Sequence, residues 1–157
     1  MDSMGEWWAD QEVRYDGYRK KPVGFENPYQ TTNSVKPDMS RVASACFLQP
    51  RLDIYDIESG DVVKTLVFDK SRRPSRDCDS EPVEWFLKLE GDDESIYCLF
   101  KGPDCPDNQA RVIQVDWNGD VIRTLIVPDA ISFTADEDNL YVMVQNDEGG
   151  GVIRYRK

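Results

Sequence analysis

The sequence predicts an all-β fold of the β-propeller class, about three blades of four-stranded antiparallel sheet, and two repeats carry that prediction. Glu90-Gly91-Asp92-Asp93-Glu94-Ser95-Ile96-Tyr97-Cys98-Leu99-Phe100 returns as Thr134-Ala135-Asp136-Glu137-Asp138-Asn139-Leu140-Tyr141-Val142-Met143-Val144. Gly60-Asp61-Val62-Val63-Lys64-Thr65-Leu66-Val67 returns as Gly119-Asp120-Val121-Ile122-Arg123-Thr124-Leu125-Ile126, each copy opening on a Ser-Gly or Asn-Gly pair of the kind that closes a hairpin. Short strands repeating at this period read as propeller blades, because each unit must bury its faces against its neighbours.

The blades fall at residues 27–68, 83–127 and 129–157, with a long loop at 69–82. First strands are expected at 29–35, 83–89 and 130–135. Second strands, at 42–48, 96–100 and 140–145, are near-continuous apolar runs, as suits a strand covered on both faces. Third strands lie at 52–57, 112–117 and 152–155, where apolar and polar residues partly alternate, and fourth strands at 62–68 and 121–127. The last blade lacks its outer strand. Residues 1–26 lie outside the repeat, yet Trp7, Trp8, Tyr15, Tyr18 and Phe25 make them too aromatic for a plain tail. Residues 12–18 read equally as the outer strand of a preceding blade or as a strand that pairs with 151–156.

Composition bounds the chemistry. The 157 residues are 39% hydrophobic and 11% aromatic, enough for a core. Thirty acidic against nineteen basic residues give a net charge of −11, which argues against nucleic acid as a partner. No stretch is long and apolar enough for a membrane span, and the first ten residues have no signal-peptide pattern. There is no histidine, which removes the commonest general base and the usual zinc ligand together.

Four cysteines remain, without a Cys-x-x-Cys pair. Cys46 and Cys98 fall in second strands and read as small buried side chains. Cys78 and Cys105 lie in the two long loops, 69–82 and 101–109, which leave the same rim of a propeller; in an oxidising compartment these two could pair. That rim is the expected binding site. Arg72, Arg73 and Arg76 form a basic island beside Trp85, with Asp104, Asp107 and Asn108 in the facing loop. The arginines suit a carboxylate, a phosphate or an acidic chain, or else they pair with neighbouring acids and tie the loops together. The acidic turns Asp92-Asp93-Glu94 and Asp136-Glu137-Asp138 occupy equivalent places and lack the spacing of a calcium loop, so they read as turn residues. No cofactor is expected.

Asn27-Pro28-Tyr29, Ser34-Val35-Lys36-Pro37-Asp38, Arg51-Leu52-Asp53-Ile54-Tyr55-Asp56, Val115-Asp116-Trp117-Asn118-Gly119, Leu140-Tyr141 and Gly151-Val152-Ile153-Arg154-Tyr155 together resemble the C-terminal half of the TolB-like six-bladed β-propeller family. The resemblance covers residues 27–157 and implies half of a ring, completed by the rest of a propeller or by self-association through open blade flanks. It also implies a secreted or cell-envelope location of the kind found in Bacteroides-type bacteria, although the chain shows no signal peptide. The expected function is a non-catalytic binding or interaction module acting through the rim loops, with an unknown protein, peptide or small ligand. The alternative is part of a calcium-dependent six-bladed hydrolase or lyase, its ion held at the axis by Asn33, Glu84 and Asp129.

Overall fold

The computed structural model describes residues 30–47, 49–68, 85–101 and 109–157, Gln109 by its backbone alone. Among them there is no helix, and every paired strand is antiparallel to its sequence neighbour. Sheet 1 is the meander β1 (Thr31–Val35), β2 (Arg41–Cys46), β3 (Arg51–Asp56) and β4 (Val62–Val67). Sheet 2 repeats it as β5 (Phe86–Gly91), β6 (Ser95–Phe100), β7 (Gln109–Asp116) and β8 (Val121–Pro128). Sheet 3 has β9 (Ala130–Ala135), β10 (Asn139–Asn146) and β11 (Gly149–Arg156), and no described strand lies beyond β11. None of the three sheets closes on itself.

The turns explain why the chain reverses where it does. Asp38, Asp92 and Asp136 each accept a bond from the backbone N–H two residues on (Ser40, Glu94 and Asp138), and Asp92 and Asp136 accept a second from Ser95 and Asn139. An aspartate thereby closes the first hairpin of every sheet through its own side chain. The hairpins between third and fourth strands turn on Gly60 and Gly119, at φ 73° and 88°, a conformation a side chain would strain.

Residues of successive sheets correspond down to their irregularities. β5 slips register against β6 between Phe86 and Lys88, and β9 slips against β10 opposite Met143 and Val144, so the bulged residues are Leu87 and Ile131. β3 and β7 slip against β4 and β8 between Ile54 and Tyr55 and between Gln114 and Val115. Each bulge is thus shared by two of the sheets, the first by sheets 2 and 3 and the second by sheets 1 and 2, while β1 pairs β2 without a slip.

The sheets stack face to face. Strand alternation sends Ile96, Cys98 and Phe100 of β6 towards sheet 1, where they meet Ala43, Ala45, Leu52 and Ile54. Tyr97 and Leu99 point the other way, into a second core with Phe133, Leu140 and Val142 of sheet 3. All six residues of β6 are buried, as its unbroken apolar run requires. The first strands adjoin one another, with β5 touching both β1 and β9. Cys46 and Cys98 are buried as expected, and burial pushes the Cys98 thiol far above its usual range. No helix among the described residues is long and apolar enough to cross a membrane.

Candidate functional site

The two ends of the stack differ in construction. At one end the tight turns gather: 36–40, 57–61, 92–94, 117–120 and 136–138, with Lys157 beside them. The other end carries the described roots of the segments that join β4 to β5 and β6 to β7, Phe68, Trp85, Lys101 and Gln109. Their roots are fixed on an aromatic floor. Phe68 meets Phe86 edge to face and Phe100 at a tilt, at centroid distances of 5.5 and 5.8 Å, and Trp85 meets Phe100 at 5.7 Å. Backbone bonds lock the same points, from Phe68 N to Pro50 O, Trp85 N to Phe47 O and Lys101 N to Trp85 O.

Of the residues expected at this rim, Trp85 alone is described, and only 7% of it is exposed. It belongs to the aromatic floor with Phe100 and offers little surface to a ligand. Arg72, Arg73, Arg76, Asp104, Asp107, Asn108, Cys78 and Cys105 lie outside the described residues, as does Glu84. The other two expected calcium ligands are far from equivalent: Asn33 is exposed in mid-β1 opposite Ser44, while Asp129 sits at φ 59° in the turn from β8 to β9. β5 stands between their strands. Among the described residues no three carboxylates or cysteines gather as a metal site.

At the turn end the structure assembles a polar network that sequence reasoning missed. Lys157 Nζ donates to Asp92 Oδ2 at 2.7 Å and stands 4.8 Å from the centre of the Tyr97 ring. Gln114 Nε2 bonds Ser95 Oγ at 2.9 Å and Tyr97 Oη at 3.3 Å, and Arg123 Nε donates to Gln114 Oε1 at 2.7 Å. Trp117 Nε1 donates to Asp92 O at 2.8 Å. Partial burial works against the charged form of Asp92, but Lys157 and the Ser95 and Glu94 N–H groups outweigh it and hold the carboxyl below its usual range. Burial likewise opposes the Lys157 ammonium, and Asp92 and Tyr97 more than offset it, so the pKa of the lysine is raised. These contacts tie sheet 3 to sheet 2. Nearer the first strands, Glu90 accepts from Thr134 Oγ1 at 3.0 Å and Ala135 N at 2.9 Å, and Lys88 donates to Phe133 O. Across the other interface Arg41 donates to Trp117 O and, at 2.9 Å, to Asn118 Oδ1.

An open cleft of about 620 Å³ is lined by Lys157 together with Glu137, Asp138, Asn139, Arg154 and Arg156. It holds charge of both signs.

No family model matches the chain, and no curated protein matches it. Among solved structures it is similar to Kuenenia stuttgartiensis hydrazine synthase, at 11% identity and a TM-score of 0.46, over 79% of this chain and 41% of that one. The chain thus spans less than half the length of that protein.

Proposed function

We propose that the chain is a non-catalytic interaction module of the β-propeller type, a TolB-like half-ring, that binds its ligand through the loops at 69–82 and 101–109. The observation that carries this reading is the aromatic floor. Phe68, Trp85, Phe86 and Phe100 hold the described roots of both loops on one packed platform, and rigid roots under variable loops are the usual construction of a binding surface. Support for the propeller itself comes from the meander order, the repeated bulges and the adjoining first strands β1, β5 and β9.

The basic residues of the first loop select an acidic ligand. Calorimetry with a polyglutamate peptide and with inorganic phosphate tests this, comparing the native chain with the triple variant Arg72→Ser, Arg73→Ser, Arg76→Ser. Binding that disappears in the variant while the melting temperature holds supports the reading. Binding unchanged by the variant, or seen with neither probe, overturns the assignment to these arginines. A calcium titration followed by thermal shift separates the alternative, since an ion held only by the folded state must raise its stability.

A further inference from the structure

The surface by which sheet 2 receives sheet 3 is present a second time, on the far side of sheet 3, and there no described strand covers it. In sheet 2 the surface is the bulged Leu87 with Tyr97, Leu99 and Val112, all packed against β9, β10 and Tyr155. The equivalent residues of sheet 3, by repeat and by register, are Ile131, Tyr141, Met143 and Val152. Leu99 and Val112 are 0% and 1% exposed, whereas Ile131, Met143 and Val152 are 47%, 48% and 64% exposed. Three large apolar side chains on one open face make the kind of patch that marks an interface.

The polar end of the surface repeats as well. Asp92 and Tyr97 receive the Lys157 ammonium; of their counterparts, Asp136 takes the turn N–H groups on Oδ1 and leaves Oδ2 to the Tyr141 hydroxyl, which donates to it at 2.8 Å. A cation seat is thus formed, and among the described residues no lysine ammonium occupies it. On the same face Arg154 stands opposite Tyr141 and Arg156 opposite Asn139, and among the described residues neither makes an ion pair. The face carries both halves of the contact, an acidic seat and unpaired guanidinium groups.

We propose that this face is the interface with a second copy of the chain, docked through the same face, with Arg154 or Arg156 of each copy seated on the Asp136–Tyr141 pair of the other. The opposite end of the stack does not compete for it. There Val42, Cys46 and Tyr55 are 8%, 1% and 5% exposed, and the wholly buried Asp53 is bonded by Arg51 and Thr65. A head-to-tail array would need that surface free. The contact is therefore two-fold and closes at the dimer. This interface is separate from the loop end, and either can fail without the other.

Sedimentation velocity on the full chain over a wide range of concentration tests it. The native chain should pass from monomer to dimer and no further. Met143→Asp combined with Val152→Asp should weaken association at least about tenfold while circular dichroism and the melting profile stay native, because truncating the apolar centre of an interface costs over a kilocalorie. Asp136→Arg and the pair Arg154→Glu, Arg156→Glu should each weaken it too, and mixing these two variants should restore a heterodimer. A native chain monomeric throughout overturns the proposal. So does a filament, or a dimer indifferent to the apolar pair, or a mixture that fails to associate when both parents are folded.

Discussion

β6 and β10 begin from nearly the same sequence and end in different environments. Ser95-Ile96-Tyr97-Cys98-Leu99-Phe100 is buried along its whole length, while in β10 only Leu140 and Val142 are buried. Tyr97 is 3% exposed and Tyr141 is half-buried, although both hydroxyls find a polar partner. The difference lies in what stands beyond each strand: described sheets cover both faces of β6, and one face of β10. Burial is a property of the stack, and a strand inherits it from its position there.

The largest test of that contrast is a pair of core deletions. Leu99→Ala should cost about 2–5 kcal/mol in urea unfolding, as expected for a fully buried leucine. Met143→Ala, its counterpart on the open face, should stay within about 0.5 kcal/mol for the monomer. Equal costs would mean that the two strands share one environment after all.

A second pair sharpens the comparison at the turn end. A Cβ on Gly91 would lie 2.7 Å from Trp117 Cζ2, inside contact distance of a buried ring. Sheet 3 carries Ala135 at the equivalent place and Lys157 where sheet 2 has Trp117. Gly91→Ala should therefore cost about 1–3 kcal/mol, as overpacking does, and much less in a Trp117→Lys background. A penalty that persists there would locate the conflict elsewhere, with Ser34 Oγ at 3.1 Å the next neighbour.

Smaller still is the hydroxyl pair. Tyr97→Phe removes the partial acceptor of Gln114 Nε2 inside a core and should cost about 1 kcal/mol. Tyr141→Phe frees an exposed carboxylate that water can solvate, so a few tenths is expected. Thermal melts of the two variants side by side measure the difference.

The least effect is that of acid on the tie between sheets 2 and 3. The Asp92 carboxyl is held below its ordinary value of 3.8, so the folded state binds fewer protons and the tie is complete above that value. Its contribution is lost as pH falls through the lowered folded pKa. Because the pair is partly solvated, the amount is below about 1 kcal/mol. Lys157→Met should flatten that part of the acid-melting curve, and an unchanged curve would show that the backbone N–H groups alone hold Asp92.

Much of this was legible in the residues. The copies at 90–100 and 134–144 gave the strands, and the Asn-Gly and Ser-Gly pairs gave the hairpins. The bulges at Leu87 and Ile131 were not legible, because an extra apolar residue in an apolar run leaves its alternation unmarked. Trp85 read as a rim residue because it abuts a loop; its backbone bond to Phe47 sets it in the floor, and that contact crosses from one sheet to another. Lys157 gave no signal at all. A terminal lysine looks like solvent-exposed charge until the fold brings Asp92 and Tyr97 beneath it.

The meander order has a consequence for how the chain acquires its structure. Each described strand pairs only with its neighbour in sequence, across turns of a few residues or single loops, so none of these pairings waits for a distant segment. Aspartates at 38, 92 and 136 preset the first reversal in every sheet. Low contact order of this kind favours fast folding in sheet-sized steps as the chain emerges, sheet 1 first. Native-state hydrogen exchange should then resolve three cooperative units, with sheet 2, flanked on both faces, the last to open and β11 the first.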